Sequence, residues 1–294
     1  MTYARPRPLP AIAYPVVAFL PVIGAAFALA SGAAPMVTAL GAYVIAAAAV
    51  LVLERRWPYS RAWLVPHGDL RVDVTHLFVD TLLGEACLRV LTLYVVVMTP
   101  SLARWWPRSW PLGVQLLVAL IFFELVQYVA HLAMHRIPWL WPFHAVHHSP
   151  ERLHLASTFR NHPIDSLLTV AIPLAPLALA GAGHDLLVLT GIAVGTHSMV
   201  QHSNIDFARG RVDDFLSTAT LHRWHHSRVG NEGEGNYGGT LILWDLLFRT
   251  RRIPRTGAFS NVGLRSVDFP RTYVGQLLFP LRSRDLEAAR HRYE

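Results

Sequence analysis

The sequence predicts an all-α integral membrane protein: a helical bundle with about four long transmembrane helices, a shorter hairpin and a cytoplasmic histidine-rich cap. Three observations lead to this prediction. Of the 294 residues, 53% are hydrophobic and only 15% are charged, which is too little charge for an ordinary soluble protein. Several apolar runs reach the length that crosses a bilayer. Many of the 16 histidines lie where such runs end or in the polar loops that follow.

Apolar runs fill most of the first two thirds of the chain. Four of them are long enough to cross a bilayer, at residues 11–30, 34–53, about 76–98 and 112–135. Two shorter runs, at 164–180 and 185–201, are short for full spans and are interpreted as a re-entrant or half-buried hairpin. The last third is polar and contains a glycine-rich loop, "GNEGEGNYGG". We therefore expect three regions: transmembrane helices over 1–110, a catalytic region over 111–255 and a polar tail over 256–294.

Arginine sets the expected orientation, since it supplies all 26 basic residues of a chain with net charge +7. Connections 31–33 and 181–184 carry no arginine, whereas arginines follow the second and fourth long runs; Arg104 and Arg108 run against this pattern. The positive-inside rule then places the histidine segments in the cytoplasm of a multi-pass protein. Lysine-free usage that is rich in alanine and arginine indicates a bacterium of high genomic GC content, and we therefore expect the bacterial inner membrane. No nucleic-acid-binding motif accompanies the arginines, so nucleic acid is not an expected partner.

Cysteine and targeting signals exclude other classes. Cys87 is the single cysteine, which excludes a disulfide framework and a cysteine-based metal site. No cleavable signal peptide is expected from "MTYARPRPLP".

The histidines form a repeated pattern. "FHAVHHSP" and "LHRWHHSR" both contain H-x-x-H-H, and "HLAMH" places His131 and His135 on one face of a helix. Adjacent histidines such as His147 and His148 cannot face one point on a regular helix. They can serve two neighbouring metals, or one metal and a second role.

A fourth segment, "QHSN", adds a histidine at the end of the last apolar run. The four segments together contain nine imidazoles: His131, His135, His144, His147, His148, His202, His222, His225 and His226. A single metal takes about four to six ligands, so this number predicts two metals. Neutral imidazole suits iron, zinc, copper and nickel. We expect no catalytic side chain beyond these ligands.

These motifs, with "FRNHPID", "QHSN" and "NYGGTLILWDLLFRT", resemble the fatty acid hydroxylase superfamily over about residues 120–250. That superfamily includes sterol desaturases, sterol methyl oxidases and alkylglycerol monooxygenase. The resemblance implies eight of these histidines as ligands of a di-iron centre, and the ninth, His202, matches a further position of the family motif. Glu124 stands where the family often has Asp, and Leu132 where it often has Arg.

The resemblance also marks residues around the metals. His162 is either a further ligand or neighbour of the metals or a loop-structuring residue, and Asn236 either bonds near the metals or shapes a turn. Metal-ligating histidines usually donate their other ring N–H to a carboxylate or carbonyl. The carboxylates expected in that role are Glu124, Asp165, and Asp213 or Asp214.

The implied activity is that of a membrane monooxygenase of lipid metabolism. Such enzymes use two iron ions, O2 and two electrons to hydroxylate or desaturate a sterol, fatty acyl chain or related lipid. We favour hydroxylation. The chain shows no haem, flavin or iron–sulfur motif, so a separate ferredoxin or cytochrome with its reductase is implied.

Two other functions remain open at this point. A membrane zinc hydrolase would need a glutamate beside the first histidine, as in H-E-x-x-H, and Leu132 is there instead. A metal transporter would need ligands near the bilayer midplane on broken helices.

Ionisable residues entering the third run, Asp73, His76, Asp80 and the pair Glu85 and Arg89, are either functional or hold a neighbouring helix. His197 is expected to face the bundle rather than a metal.

Overall fold

The computed structural model describes residues 7–79, 81–82, 86, 90, 105–229, 232–253, 261–264 and 269–281. Within these residues the chain forms helices and turns, with isolated β-bridges and no sheet. The all-α prediction is confirmed for this part of the chain.

Three of the described helices are long and apolar enough to cross a membrane. They are α1 (Ala13–Ala30), α2 (Pro35–Arg56) and α4 (Leu112–Arg136), with mean hydropathies of 2.0, 2.4 and 2.0. Residues 70–79 form a helix, α3, that enters the predicted third run. Most of that run, with Asp80, Glu85, Cys87 and Arg89, lies outside the described residues. Four transmembrane helices therefore remain a prediction.

The predicted shorter hairpin is confirmed as two apolar helical segments. The first comprises α6 (Pro163–Ser166), a π-helical turn (Leu167–Ala171) and α7 (Ile172–Leu179), and the second is α8 (His184–Gln201). The segment just before α4 packs against the turn between them, where Trp106 N–H donates to Ala180 O at 2.9 Å. Arg108 Nε donates to Gly181 O at 2.8 Å in the same turn.

Helices α1 and α2 pack against α8, and their contacts fix which ends lie together. Tyr14, near the start of α1, meets His197 near the end of α8, with 3.2 Å between the hydroxyl oxygen and Nε2. Leu29, near the end of α1, packs with Leu189 in the first half of α8. Connections 31–34 and 180–183 therefore lie at one end of the bundle, and α2, α4 and α8 finish at the other.

The histidine-bearing segments cover that second end. They include α5 (Trp141–His148) and α9 (Ala219–His225), followed by α10 (Leu243–Leu247) and α11 (Tyr273–Leu278). Buried carboxylates tie this cap to the bundle. Glu54 of α2 accepts the N–H groups of Leu155 and Asn204, both at 2.9 Å. Asp73 of α3 accepts Arg160 Nε at 2.7 Å.

Candidate metal centre

All nine histidines converge in two compact groups. Cluster A contains His131, His135, His144, His148 and His225, and cluster B contains His147, His202, His222 and His226. Within each cluster the ligand-capable atoms lie within 4.8 Å of one another. Eight of the nine residues are buried and His135 is half-buried. The fold therefore brings together the same nine histidines that the sequence pattern singled out.

Each H-x-x-H-H motif is shared between the two clusters, in opposite senses. On α5, His144 and His148 point to cluster A and His147 to cluster B. In the second motif, His222 and His226 belong to cluster B and His225 to cluster A. In each motif the first and last histidines, at i and i+4, share a helix face. The middle histidine, at i+3, is adjacent to the last one and is therefore rotated away from it, so that it can reach the other cluster. One short motif can thus serve two neighbouring sites.

Hydrogen bonds at the outer ring nitrogens fix the tautomers of several histidines. Nδ1 of His131 lies 2.6 Å from Tyr237 O, and Nδ1 of His225 lies 2.8 Å from Gly235 O. A carbonyl oxygen only accepts, so both Nδ1 atoms carry the proton. In the neutral rings, both Nε2 atoms then carry a bare lone pair. Those two atoms are 2.9 Å apart.

The same relationship recurs in cluster B. His202 Nδ1 lies 2.9 Å from Ser198 O and therefore carries the proton, so its Nε2 has a free lone pair. The Nε2 atoms of His222 and His147 approach that atom at 2.8 and 3.1 Å. A metal–nitrogen bond of about 2.1 Å places neighbouring ligands about 3.0 Å apart in an octahedron. The observed separations match that spacing.

The converging imidazole rings are not protonated near neutral pH. Burial, followed by the neighbouring His202, lowers the pKa of His147 to about 3. Burial and the adjacent imidazoles likewise hold the pKa of His148 and His225 well below its ordinary value. Converging lone pairs on neutral rings fit a bound cation, and an all-imidazole donor set suits iron, zinc or copper.

Among the carboxylates expected to orient ligands, Asp165 contacts a histidine. Its Oδ2 lies 2.9 Å from His144 Nδ1, and both side chains are buried. Glu124 instead accepts the backbone N–H of Thr240, at 3.0 and 2.9 Å from its two oxygens. Asp213 accepts the Gly210 N–H, and Asp214 pairs with Arg251.

The other marked residues have structural contacts. His162 lies outside both clusters and caps α6, where its Nδ1 accepts the Ile164 N–H at 3.1 Å. Its Nε2 lies 3.2 Å from Leu277 O. Asn236, at φ 57°, donates from Nδ2 to Leu221 O and Arg252 O and so shapes the loop. The loop-structuring readings of both residues fit these contacts.

The ionisable residues of α3 and His197 also have structural contacts. Asp73 binds Arg160, and His76 meets Gln276 at 2.8 Å, so both hold neighbouring segments. His197 is fully buried against Tyr14 and belongs to neither cluster, as expected.

Sequence reasoning missed the backbone acceptors. The carbonyls of Tyr237, Gly235 and Ser198 accept from three of the nine histidines, and no side-chain identity encodes such a contact. The glycine-rich loop was the available signal. A Cβ at Gly235 would lie 2.4 Å from Thr250 O, so only glycine allows the loop to approach so closely.

A cavity of about 110 Å³ adjoins both clusters. His131 and His144 of cluster A and His147, His202 and His222 of cluster B form part of its wall. Phe123 and Val194 line another part, and Gln127, Thr169 and Gln201 add neutral polar groups. The cavity therefore connects the metal-ligating region with apolar side chains of the bundle.

Comparison with known proteins places the chain among lipid-modifying enzymes. The fatty acid hydroxylase family model matches residues 116–250. An ornithine lipid hydroxylase of Rhizobium tropici is 33% identical over 233 residues, which cover 76% of this chain and 69% of that protein.

Relatives of lower identity match shorter stretches of the chain. The alkylglycerol monooxygenase of Caenorhabditis elegans is 26% identical over 45% of this chain and 26% of its own length. A fatty acid hydroxylase of Mycosarcoma maydis is 29% identical over 50% of this chain and 36% of its own length. The matched part is thus about a third or less of these two proteins. No solved structure matches.

Proposed function

Because this chain belongs to the fatty acid hydroxylase family, we propose that it is a membrane-bound di-iron monooxygenase that hydroxylates a membrane lipid. The observation that carries the proposal is the division of nine buried histidines into two adjoining clusters of ligand-capable nitrogens. A mononuclear site would leave about half of these imidazoles without a role.

In the proposed enzyme, cluster A holds one iron ion and cluster B the other. The pair of ions supplies the capacity to activate O2 and oxidise an unactivated C–H bond, which no side chain provides alone. In the overall reaction one oxygen atom enters the C–H bond. The other leaves as water, after uptake of two electrons and two protons. A separate ferredoxin or cytochrome with its reductase supplies the electrons.

The residues of the chain prepare this chemistry. Asp165 and the carbonyls of Tyr237, Gly235 and Ser198 hold protons on the Nδ1 atoms of their histidines, which keeps the Nε2 lone pairs available. Burial keeps the rings neutral and excludes bulk water. The cavity beside both clusters offers a place for the substrate carbon.

The substrate proposal starts from the relatives, which are named for ornithine lipid and alkylglycerol substrates. A membrane lipid is dissolved in the bilayer that surrounds α1, α2 and α4, so it reaches the site without passing through water. An ornithine lipid is the first substrate to test. We place the clusters on the cytoplasmic side of a bacterial inner membrane, in agreement with the arginine distribution.

The test combines metal content with isotope incorporation. Protein purified in detergent from iron-replete cells is analysed for metals, with His147→Ala and His225→Ala beside the wild type. We expect two irons per chain in the wild type and less in both variants. With ¹⁸O2, an electron donor and an ornithine lipid, the product should contain one ¹⁸O atom. Zinc without iron would favour the hydrolase instead, and a full complement of metal in both variants would contradict the proposed site.

A further inference from the structure

The cavity beside the clusters also reaches the outer surface of the bundle. Val170 lines the cavity and is nevertheless 43% exposed. On the same apolar segment, Leu167 and Ile172 are each 42% exposed but do not belong to the cavity wall. An apolar helix with exposed leucine and isoleucine faces hydrocarbon in a membrane. Val170 therefore marks the point where the cavity meets the bilayer.

The backbone at this point departs from an α-helix. Leu167–Ala171 form a π-helical turn between α6 and α7, and such turns frequently occur at functional sites. Thr169, in the same turn, also lines the cavity and donates from Oγ1 to Asp165 O at 2.8 Å. Asp165 in turn binds His144. The turn thus lies between the bilayer and a residue that orients a cluster A ligand.

The size of the cavity restricts what can occupy it. Its volume of about 110 Å³ is smaller than the engineered cavity of about 150 Å³ that admits benzene. It holds about four water-sized groups, which corresponds to a short length of a single chain. Because the volume is below that of a cavity that admits a single benzene ring, a fused-ring system does not fit into it, whereas a few carbons of a linear chain do.

The lining has a matching chemistry. Phe123, Val170 and Val194 offer apolar contacts, and Gln127 and Gln201 offer neutral hydrogen-bonding groups. No arginine is among the described residues that line the cavity, so no guanidinium is available there to bind a phosphate group in the bidentate manner.

We propose that the substrate is a linear-chain lipid that enters sideways from the bilayer past the π-helical turn, and that Val170 and Thr169 set the width of this entrance. The inference rests on the proposed function, since it assigns a substrate class to the same site. It selects linear acyl or alkyl chains over sterol-like rings.

The test uses two photoreactive lipids with the metal-loaded full chain in lipid nanodiscs. One probe is an ornithine lipid with a diazirine on its acyl chain, and the other is a sterol with a diazirine on its ring system. After irradiation, mass spectrometry locates the labelled residues. We expect the linear probe to label Val194, inside the cavity, and the sterol to label the outer surface around Leu167 only.

Matched variants separate the entrance from the rest of the segment. Val170→Trp should reduce labelling of Val194 by the linear probe about fivefold, because the larger side chain blocks the entrance. Val170→Phe should have a smaller effect in the same direction. Leu167→Trp, which enlarges an equally exposed neighbour outside the cavity wall, should leave the labelling unchanged.

Two results would overturn the inference: undiminished labelling of Val194 in Val170→Trp, or labelling of Val194 by the sterol as strong as by the linear probe. Metal content and product formation are measured on the same samples. Labelling that follows the expected pattern without any hydroxylated product would contradict the proposed function and leave the entrance supported. Product formation with unaltered labelling would contradict the entrance alone.

Discussion

Asp165 lies 2.9 Å from Nδ1 of His144, and both side chains are buried. The corresponding nitrogens of His131, His225 and His202 donate to uncharged backbone carbonyls. A carboxylate acceptor makes the ring a stronger donor of electron density to a metal than a carbonyl does. Cluster A therefore contains one histidine whose outer ring nitrogen faces a carboxyl group instead of a backbone carbonyl.

We first predict that Asp165→Asn weakens metal binding at cluster A. The amide keeps the size of the side chain but removes its charge, and the loss of such a partner costs about 10- to 100-fold in metal affinity. The measurement is the iron retained per chain during titration with a chelator. Asp214→Asn is the matched control, since Asp214 is exposed and pairs with Arg251. Equal retention in the two variants would show that Asp165 has no such role.

A second prediction follows from the sharing of each motif between clusters. His148→Ala with His225→Ala removes two residues of cluster A and leaves cluster B intact, so about one metal per chain should remain. His148→Ala with His226→Ala removes one residue from each cluster and should leave less. Metal analysis of the two double variants distinguishes these outcomes.

The control for this pair is His184→Ala, an exposed histidine at the opposite end of the bundle. Identical metal content in both double variants would argue against two separate sites.

The third prediction concerns the loop that supplies Tyr237 O. Glu124 accepts the N–H groups of Gly239 and Thr240, so Glu124→Gln replaces one accepting oxygen with an NH2 group that cannot accept. Leaving a buried N–H group without its acceptor should cost about 1 to 3 kcal/mol of local stability. Hydrogen–deuterium exchange over residues 236–241 should accelerate. Exposed Glu151→Gln should leave that exchange unchanged, and the same result for Glu124→Gln would refute the role.

The fourth prediction is a pH dependence of stability. Burial alone would raise the pKa of Asp69, but the paired guanidinium of Arg152 outweighs it and lowers the pKa to about 2. Between that value and the pKa of about 3.8 of an unperturbed aspartate, the unfolded chain binds more protons than the folded protein. Stability from this pair is therefore complete above about pH 4 and is lost as the pH falls towards 2.

Unfolding in mild detergent at pH 5 and pH 3 tests this dependence. The wild type should lose about 1 kcal/mol more than Asp69→Asn between the two conditions. Asp185→Asn, at the far end of the bundle, should behave like the wild type. If Asp69→Asn lost as much stability between pH 5 and pH 3 as the wild type, Asp69 would not contribute to the pH dependence.

The sequence predicted the main elements and the set of converging histidines because both depend on local patterns. Apolar length identified α1, α2 and α4, and the i, i+3, i+4 spacing of His144, His147 and His148 required two directions on one helix. The family resemblance over about 120–250 agrees with the match at 116–250. The three-region division and the electron donor remain predictions.

What the sequence could not predict were contacts made through the backbone or through long-range packing. Tyr237 acts through its carbonyl, so its side chain carried no signal for the bond to His131. Glu124 precedes His131 by seven residues, which favoured a direct contact, but its carboxylate turns to the loop at 239–240. His162 shares the residue type of the ligands and yet caps a helix, because the following proline starts α6 at that point.

If the two clusters hold metals as proposed, the division of each H-x-x-H-H motif between them makes each metal a cross-link between helices. Cluster A joins α4, α5 and α9, and cluster B joins α5, α8 and α9, so segments as distant as His131 and His225 become fastened together. In a chain with a single cysteine, these fastenings take the place that disulfides hold in secreted proteins. In the proposed di-iron enzyme, iron supply would then set the lifetime of the protein as well as its activity, and a cell starved of iron should degrade this chain rather than keep it.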